Sequence, residues 1–324
     1  MSFFHPVSIG NVQLEGNLFL APMAGYTDRV FRALCLERGA YLAYTEMVSC
    51  EGLARDNEPT KDLAVRAAGE KNLAVQLFGP DEDTAARSVE TIMRFNPQII
   101  DFNCGCPVPK VTKTGAGSAL MKNPQTIGKI TAVLKKETGL PVTVKIRTGW
   151  DTKSINYLEC AEQAFNSGAD ALCMHARTKS QLYTPTAHWE YLADLKKHFP
   201  DRVIIGSGDL FTAEDAVEMF RQTEIDAVSF ARGAIGNPFI FRQAQALLTG
   251  EGTLEISTSQ KVQTLLRHLD DLCVFMGENR ACREMRKHVG FYLKGVPGSV
   301  HVKRMTCTAV TAAEYRNALK ILDY

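Results

Sequence analysis

The chain has 324 residues, 45% of them hydrophobic, and a formal net charge of +1, a length that predicts one large domain plus a smaller one. No apolar run approaches the roughly 18 residues that a bilayer span needs, and Met1–Gly10 lacks the basic-then-apolar order of a secretory signal. Nine scattered cysteines do not frame a small secreted scaffold, so reduced thiols, a cytoplasmic location and no membrane partner are expected.

Short β-branched runs alternate with amphipathic stretches. Strands are expected at Asn17–Pro22, Ala40–Thr45, Leu73–Phe78, Gln98–Asn103, Val142–Arg147, Ala169–His175, Val203–Ser207 and Ala227–Ala231. Helices are expected between them, at Arg29–Arg38, Asp81–Phe95, Pro124–Thr138, Asn156–Ser167 and Ala213–Gln222. Eight strand-plus-helix repeats predict an α/β fold, a (β/α)8 TIM barrel spanning residues 1–243. A doubly wound open sheet is disfavoured because no Gly-x-Gly-x-x-Gly follows the first strand. Beyond residue 243 the strand pattern stops. Thr258–Gly277, Asn279–Gly295 and Thr311–Leu322 read as helices of a C-terminal helical domain over residues 244–324. Between Arg280 and Arg304 stand seven basic residues against one acid, Glu284. This is either a solvated helix face or the footprint of a polyanion.

In such a barrel the strands' C-terminal ends carry the site, and residues i and i+2 share a face. Thr143, Lys145 and Arg147 then point inward while Val142, Val144 and Ile146 pack against helices. Inward cations imply an anionic or electron-rich ligand, or else a salt bridge to a neighbouring strand. The same alternation turns Gln76, Asp101, Asn103, His175 and Arg177 inward. The last two strands end in glycine turns, Gly206-Ser207-Gly208-Asp209 and Ala231-Arg232-Gly233-Ala234. Backbone N–H groups there suit a phosphate, and Arg232 adds charge. Cys104 and Cys106 make one metal-like pair, but no second pair stands at zinc spacing, so no metal is expected.

Several segments resemble the tRNA dihydrouridine synthase family, most closely its bacterial DusB-type branch. They are Ala21-Pro22-Met23-Ala24-Gly25-Tyr26-Thr27-Asp28, Asn103-Cys104-Gly105-Cys106-Pro107, Lys145-Ile146-Arg147-Thr148-Gly149-Trp150, His175-Ala176-Arg177-Thr178 and Arg286-Lys287-His288 with Phe291-Tyr292-Leu293. The resemblance implies an FMN-binding barrel, a helical tRNA-binding domain, and NADPH (or NADH) as reductant of the flavin. It implies reduction of the C5=C6 bond of a tRNA D-loop uridine, with position 17 suggested. Pro22, Met23 and Ala24 would then lie against the flavin ring, Gln76 and Lys145 at its polar edge, His175 near its phosphate side, and Ser207, Gly208, Asp209, Ala231 and Arg232 would hold the phosphate end. Asn103, Lys145, Arg147 and Arg177 would face the uracil, Arg283, Arg286 and Lys287 the RNA, and Cys106 would be the acid. Three positions depart from the family pattern: Ser207, Ala231 and Ala176. A methyl at 231 would clash if that position needed positive φ.

A mostly protonated thiol suits delivery of a proton to C5. Lys145 and Arg147 nearby would lower its pKa and oppose that role. Gly115 and Gly117 suggest a mobile loop beyond Cys106. Three other functions are weighed: an FMN barrel oxidoreductase on a free pyrimidine-like molecule, a non-catalytic tRNA-binding protein, and an aldolase-type barrel with Lys145 as Schiff base. A monomer is expected.

Overall fold

A computed structural model describes residues 3–322. Eight strands close a parallel barrel: β1 (Leu18–Leu20), β2 (Leu42–Tyr44), β3 (Leu73–Phe78), β4 (Ile99–Asn103), β5 (Val142–Arg147), β6 (Ala171–His175), β7 (Val203–Ser207) and β8 (Ala227–Phe230). Each pairs with the next, and β8 pairs with β1, which closes the ring. The expected strands are all present, trimmed by one or two residues at several ends. Helices at Arg29–Glu37, Glu82–Met93, Pro124–Thr138, Tyr157–Asn166 and Ala213–Thr223 match the expected ones closely.

The alternation of apolar residues explains the layers. Leu73, Val75, Leu77, Val142, Val144, Ile146, Leu172 and Met174 belong to the large core between strands and helices. Phe19, Tyr44, Ala74, Ile99, Ala171, Cys173 and Ala227 fill the interior. The antiparallel hairpin Val7–Ile9 with Val12–Leu14, not foreseen from the sequence, closes that interior with Val7, Ile9 and Leu14. Helices Glu190–His198 and Ser299–Thr306 were also not foreseen.

The helix Ile240–Thr249 crosses residue 243, and its Ala244 and Leu248 belong to the barrel's outer core. A separate apolar cluster begins at Val262, where Leu265, Leu269 and Leu272 of the helix Thr258–Met276 meet Ala281, Met285, Val289 and Tyr292 of the helix Glu278–Tyr292. Ser257 and Gln260 close a capping box at the start of the first, which satisfies N–H groups the helix leaves unpaired. This helical unit docks on the barrel helix Arg29–Glu37, where Arg267 holds Glu37 through two contacts of 2.5 and 2.7 Å. No helix among the described residues is long and apolar enough to cross a membrane.

Candidate active site

A cavity of about 500 Å³ opens at the C-terminal ends of the strands. It brings together Pro22, Met23, Ala24, Gln76, Asn103, Cys106, Lys145, Arg147, His175, Ser207, Gly208, Asp209, Ala231 and Arg232. A slightly larger cavity, about 570 Å³, lies at the opposite end among Gln13, Glu15, Tyr41, Lys71 and Arg242. It gathers no inward strand-end groups, so the chemistry is placed in the first.

After β1 the chain turns at once. The N–H groups of Tyr26 and Thr27 both donate to Met23 O at 3.0 Å, and Asp28 caps the next helix by accepting from Val30 and Phe31 N–H. This tight turn, with Gly25 at φ +76, leaves Pro22, Met23 and Ala24 on the cavity wall. At the end of β4, the two cysteines part. Cys104 is fully buried in the strand–helix core, whereas Cys106 lies on the wall. Burial raises the Cys106 thiol above its ordinary pKa, and the opposing effects of the Val108 N–H, Arg147 and Lys145 do not cancel it. The thiol therefore stays protonated at neutral pH beside two cations.

Arg147 is drawn away from a purely ligand-facing role. Its Nε donates to Gly105 O at 2.9 Å, and Nη1 donates to Thr178 O at 2.8 Å and Leu182 O at 3.2 Å. Burial lowers its pKa to about 10, so it remains charged while tying the Cys106 segment to the loop after β6. Lys145 points into the same cavity from one pleat below. Gly117 does not serve the expected mobility alone: at φ +62, a Cβ there would come within 2.8 Å of Cys106 O. Its bareness lets Ser118 N and Oγ donate to that carbonyl at 3.1 and 3.0 Å.

Arg177 is only 2% exposed and does not line the cavity. The strand ends at His175, so the inward alternation no longer governs residue 177. Its guanidinium donates to Pro185 O, Asp209 Oδ2 and His175 Nε2. A guanidinium only donates, so His175 Nε2 accepts and its proton sits on Nδ1. Burial, then the surrounding Arg147, Lys145, Arg177 and Arg232, hold this imidazole well below its usual pKa and keep it neutral. Asp209 accepts from Arg177 at 2.5 Å and from Arg232 at 3.3 Å. Its carboxylate thus orients two cations and would repel a phosphate itself. Arg232 lies between the rings of Tyr183 and Phe211, 4.4 and 4.8 Å from their centroids.

The departures from the family pattern are accommodated. Ala231 adopts φ −114, so its methyl meets no left-handed strain. Ser207 Oγ donates to Ser229 O at 3.1 Å. Ala176 packs outward in the core, and its N–H donates to Ser207 O. Gly208 carries the positive φ, +121, and a Cβ there would lie 3.0 Å from His175 Cδ2. Ser229 Oγ is buried at this end of the cavity without a protein partner. Together Ser229, Arg232 and the bare Gly208 backbone leave room and donors for an anion.

In the helical unit, Arg283 is exposed and shares a helix face with Lys287 four residues on. Lys287 pairs with Glu284 and lies 5.2 Å from the Tyr26 ring centroid. Arg286 is half-buried and donates to Ala309 O at 3.0 Å, which ties it to its own unit. Reading strand faces missed Met47, Tyr183, Leu210, Phe211, Ile235 and Phe291, all on the cavity wall. They sit on loops or, for Phe291, on the helical unit, where no strand periodicity marks them.

The dihydrouridine synthase family model matches residues 19–323. A probable tRNA-dihydrouridine synthase of Treponema pallidum is 40% identical, covering 98% of this chain and 96% of its own. tRNA-dihydrouridine synthase B of Pasteurella multocida is 38% identical, with 89% and 87% covered. A 2-naphthoyl-CoA reductase complex shares the fold at TM-score 0.60 with 11% identity, covering 76% of this chain and 52% of that one. Histamine dehydrogenase from Rhizobium sp. 4-9 does so at TM-score 0.59 with 13% identity, covering 83% and 50%. This chain spans about half the length of these two structures, and at such identity the likeness carries the fold alone.

Proposed function

Since the chain belongs to the dihydrouridine synthase family, we propose that it is a flavin-dependent oxidoreductase that reduces a tRNA uridine to dihydrouridine. The substrate is a D-loop uridine, the flavin is FMN, and NADPH is the reductant, with NADH as the alternative donor. The observation that carries this reading is the parting of the two cysteines. A protonated thiol at Cys106 faces the strand-end cavity, and Cys104 is withdrawn into the core.

The residues present fit a flavin mononucleotide. Ser229 Oγ is an orphaned buried hydroxyl on the cavity wall, and Arg232, Ser207 and Gly208 line the same cavity. These would hold the phosphate, with Asp209 aiming Arg232. Pro22, Met23 and Ala24 would lie along the ring system, Gln76 and Lys145 along its polar edge, and His175 near the phosphate side. When bound and reduced, the flavin supplies the hydride for C6 of the uracil. Cys106 gives its proton to C5 from the opposite face. Lys145 offsets negative charge developing toward O4, and Asn103 and Arg147 border the base. Arg177 acts by fixing His175 and Asp209.

A base must leave the tRNA stack to reach this cavity. The barrel, residues 1–243, carries the chemistry in this reading, and the helical residues from 244 onward hold the RNA through Arg283, Lys287 and neighbouring cations, with Arg286 bracing them. A tRNA substrate places the reaction in the cytoplasm, and one chain supplies every group invoked.

Two measurements test this. Purified protein should be yellow, or become so on reconstitution with FMN, and then oxidise NADPH and form dihydrouridine in tRNA from a strain lacking the gene. A protein that takes up no FMN overturns the reading. Binding of tRNA should weaken steeply with salt. Arg283→Ala should reduce the slope of log affinity against log salt by about one with flavin content unchanged; an unaltered slope removes that residue from the RNA face.

A further inference from the structure

The barrel interior holds a carboxylate that the scheme above does not use. Asp101, on β4, is 1% exposed. Its Oδ2 accepts from Gln76 Nε2 and its Oδ1 from Thr143 Oγ1, both at 2.6 Å. Gln76 Oε1 accepts from Asn103 Nδ2 at 2.9 Å. Asn103 Oδ1 accepts from the N–H groups of Gly105 and Cys106 at 3.1 and 2.8 Å.

These bonds have one consistent direction. An ionised carboxylate only accepts, so Gln76 must offer it the amide NH2 and turn its carbonyl to Asn103. Asn103 must then offer its own NH2 to Gln76 and its carbonyl to the backbone beside the thiol. Turning either amide over would set like groups face to face at both of its ends, in a region where an unmade hydrogen bond is costly.

We propose that Asp101 is a positioning residue for Cys106, fixing through the Gln76 and Asn103 amides the backbone that carries the thiol. The proposal rests on the synthase reading for the reaction at Cys106. Burial raises Asp101 to about 6 against the opposing effects of Thr143, Gln76 and Lys145, so it is mostly ionised at neutral pH. Tyr44 from β2, Cys104 just past the end of β4 and Cys173 from β6 are further titratable groups within its electrostatic reach. All three are held neutral by burial.

The test compares Asp101→Leu and Asp101→Asn in the FMN-loaded enzyme. Leucine removes the acceptor. Asparagine keeps it, because its Oδ1 can face Gln76 while its Nδ2 donates to the Thr143 hydroxyl. Asp101→Leu is expected to lower kcat for dihydrouridine formation by about 30-fold, with the KM for tRNA and flavin reduction by NADPH within about threefold. Iodoacetamide should alkylate Cys106, followed by mass spectrometry, at a rate changed at least about threefold. Asp101→Asn should recover most of both. Equal kcat and equal alkylation in Asp101→Leu and wild type overturn the proposal, as does Asp101→Asn behaving like Asp101→Leu. Should the leucine variant not fold, Asp101→Asn and Asp101→Asn/Thr143→Val put the same question. The second removes the group that keeps Oδ1 on Gln76, and a double variant no worse than the single counts against the relay. Alkylation needs no tRNA, so an inactive wild type speaks against the functional reading while the relay is still judged.

Discussion

Cys106→Ala is expected to lower dihydrouridine formation by about 10²- to 10⁴-fold, the range in which a positioned general acid contributes, while flavin content and flavin reduction by NADPH stay near wild type. The thiol sits on the cavity wall in a loop held by its own backbone bonds to Asn103 and Ser118, so removing Sγ takes away a proton donor and leaves the scaffold in place. Cys104→Ala should leave turnover nearly unchanged, since that side chain is fully buried in the strand–helix core, and should cost stability instead. The pH profile gives a second check. Because Cys106 acts when protonated, activity should persist below its pKa and fall as pH rises through it. Burial raises that pKa, so the alkaline limb should lie above the ordinary thiol value of about 8.5 and vanish in Cys106→Ala. Normal modification of tRNA by Cys106→Ala would mean that the acid is elsewhere.

The strand faces were legible because pleat alternation fixes them without knowledge of partners. Val142, Val144 and Ile146 went outward and Thr143 and Lys145 inward on period alone, as the structure has them, with Thr143 bonded to Asp101 and Lys145 on the cavity wall. The same rule failed at Arg177, because the strand stops at His175 and the next turn carries the side chain behind the imidazole. Partners across strands were not legible. The Gln76 amide was read only for the edge it offers a ligand, yet register also sets it opposite Asp101 and Asn103 bonds its carbonyl. The balance at Cys106 was equally hidden. Two nearby cations suggest a lowered thiol pKa, and only the depth of the loop decides that desolvation wins. Phe291 could not be placed on the cavity by any local pattern, because it arrives with the docking of the helical unit on Arg29–Glu37. Ala231 illustrates the opposite case. An absent glycine raised the question of a positive φ, and the backbone at −114 answers it.

Arg147→Met is expected to be the second most damaging change, lowering kcat for tRNA by about 10²-fold or more, beyond the loss of any contact to the base. The guanidinium joins three carbonyls from two loops, Gly105 O beside the thiol and Thr178 O and Leu182 O after β6. Methionine fills similar volume but leaves those acceptors without a donor, at about 1–3 kcal/mol for each that stays buried and unpaired. The loops would relax toward solvent to recover these bonds, which carries Cys106 and Tyr183 out of register with each other. Arg147→Lys should rescue little, since one ammonium on a flexible stem does not reproduce a planar fork that reaches both loops. Limited proteolysis should therefore cut within residues 178–187 faster in both variants than in wild type, with the barrel's thermal midpoint shifted less than the loop's sensitivity. Full activity of Arg147→Lys would show that only the positive charge matters, and that the loop clamp is incidental to the reaction.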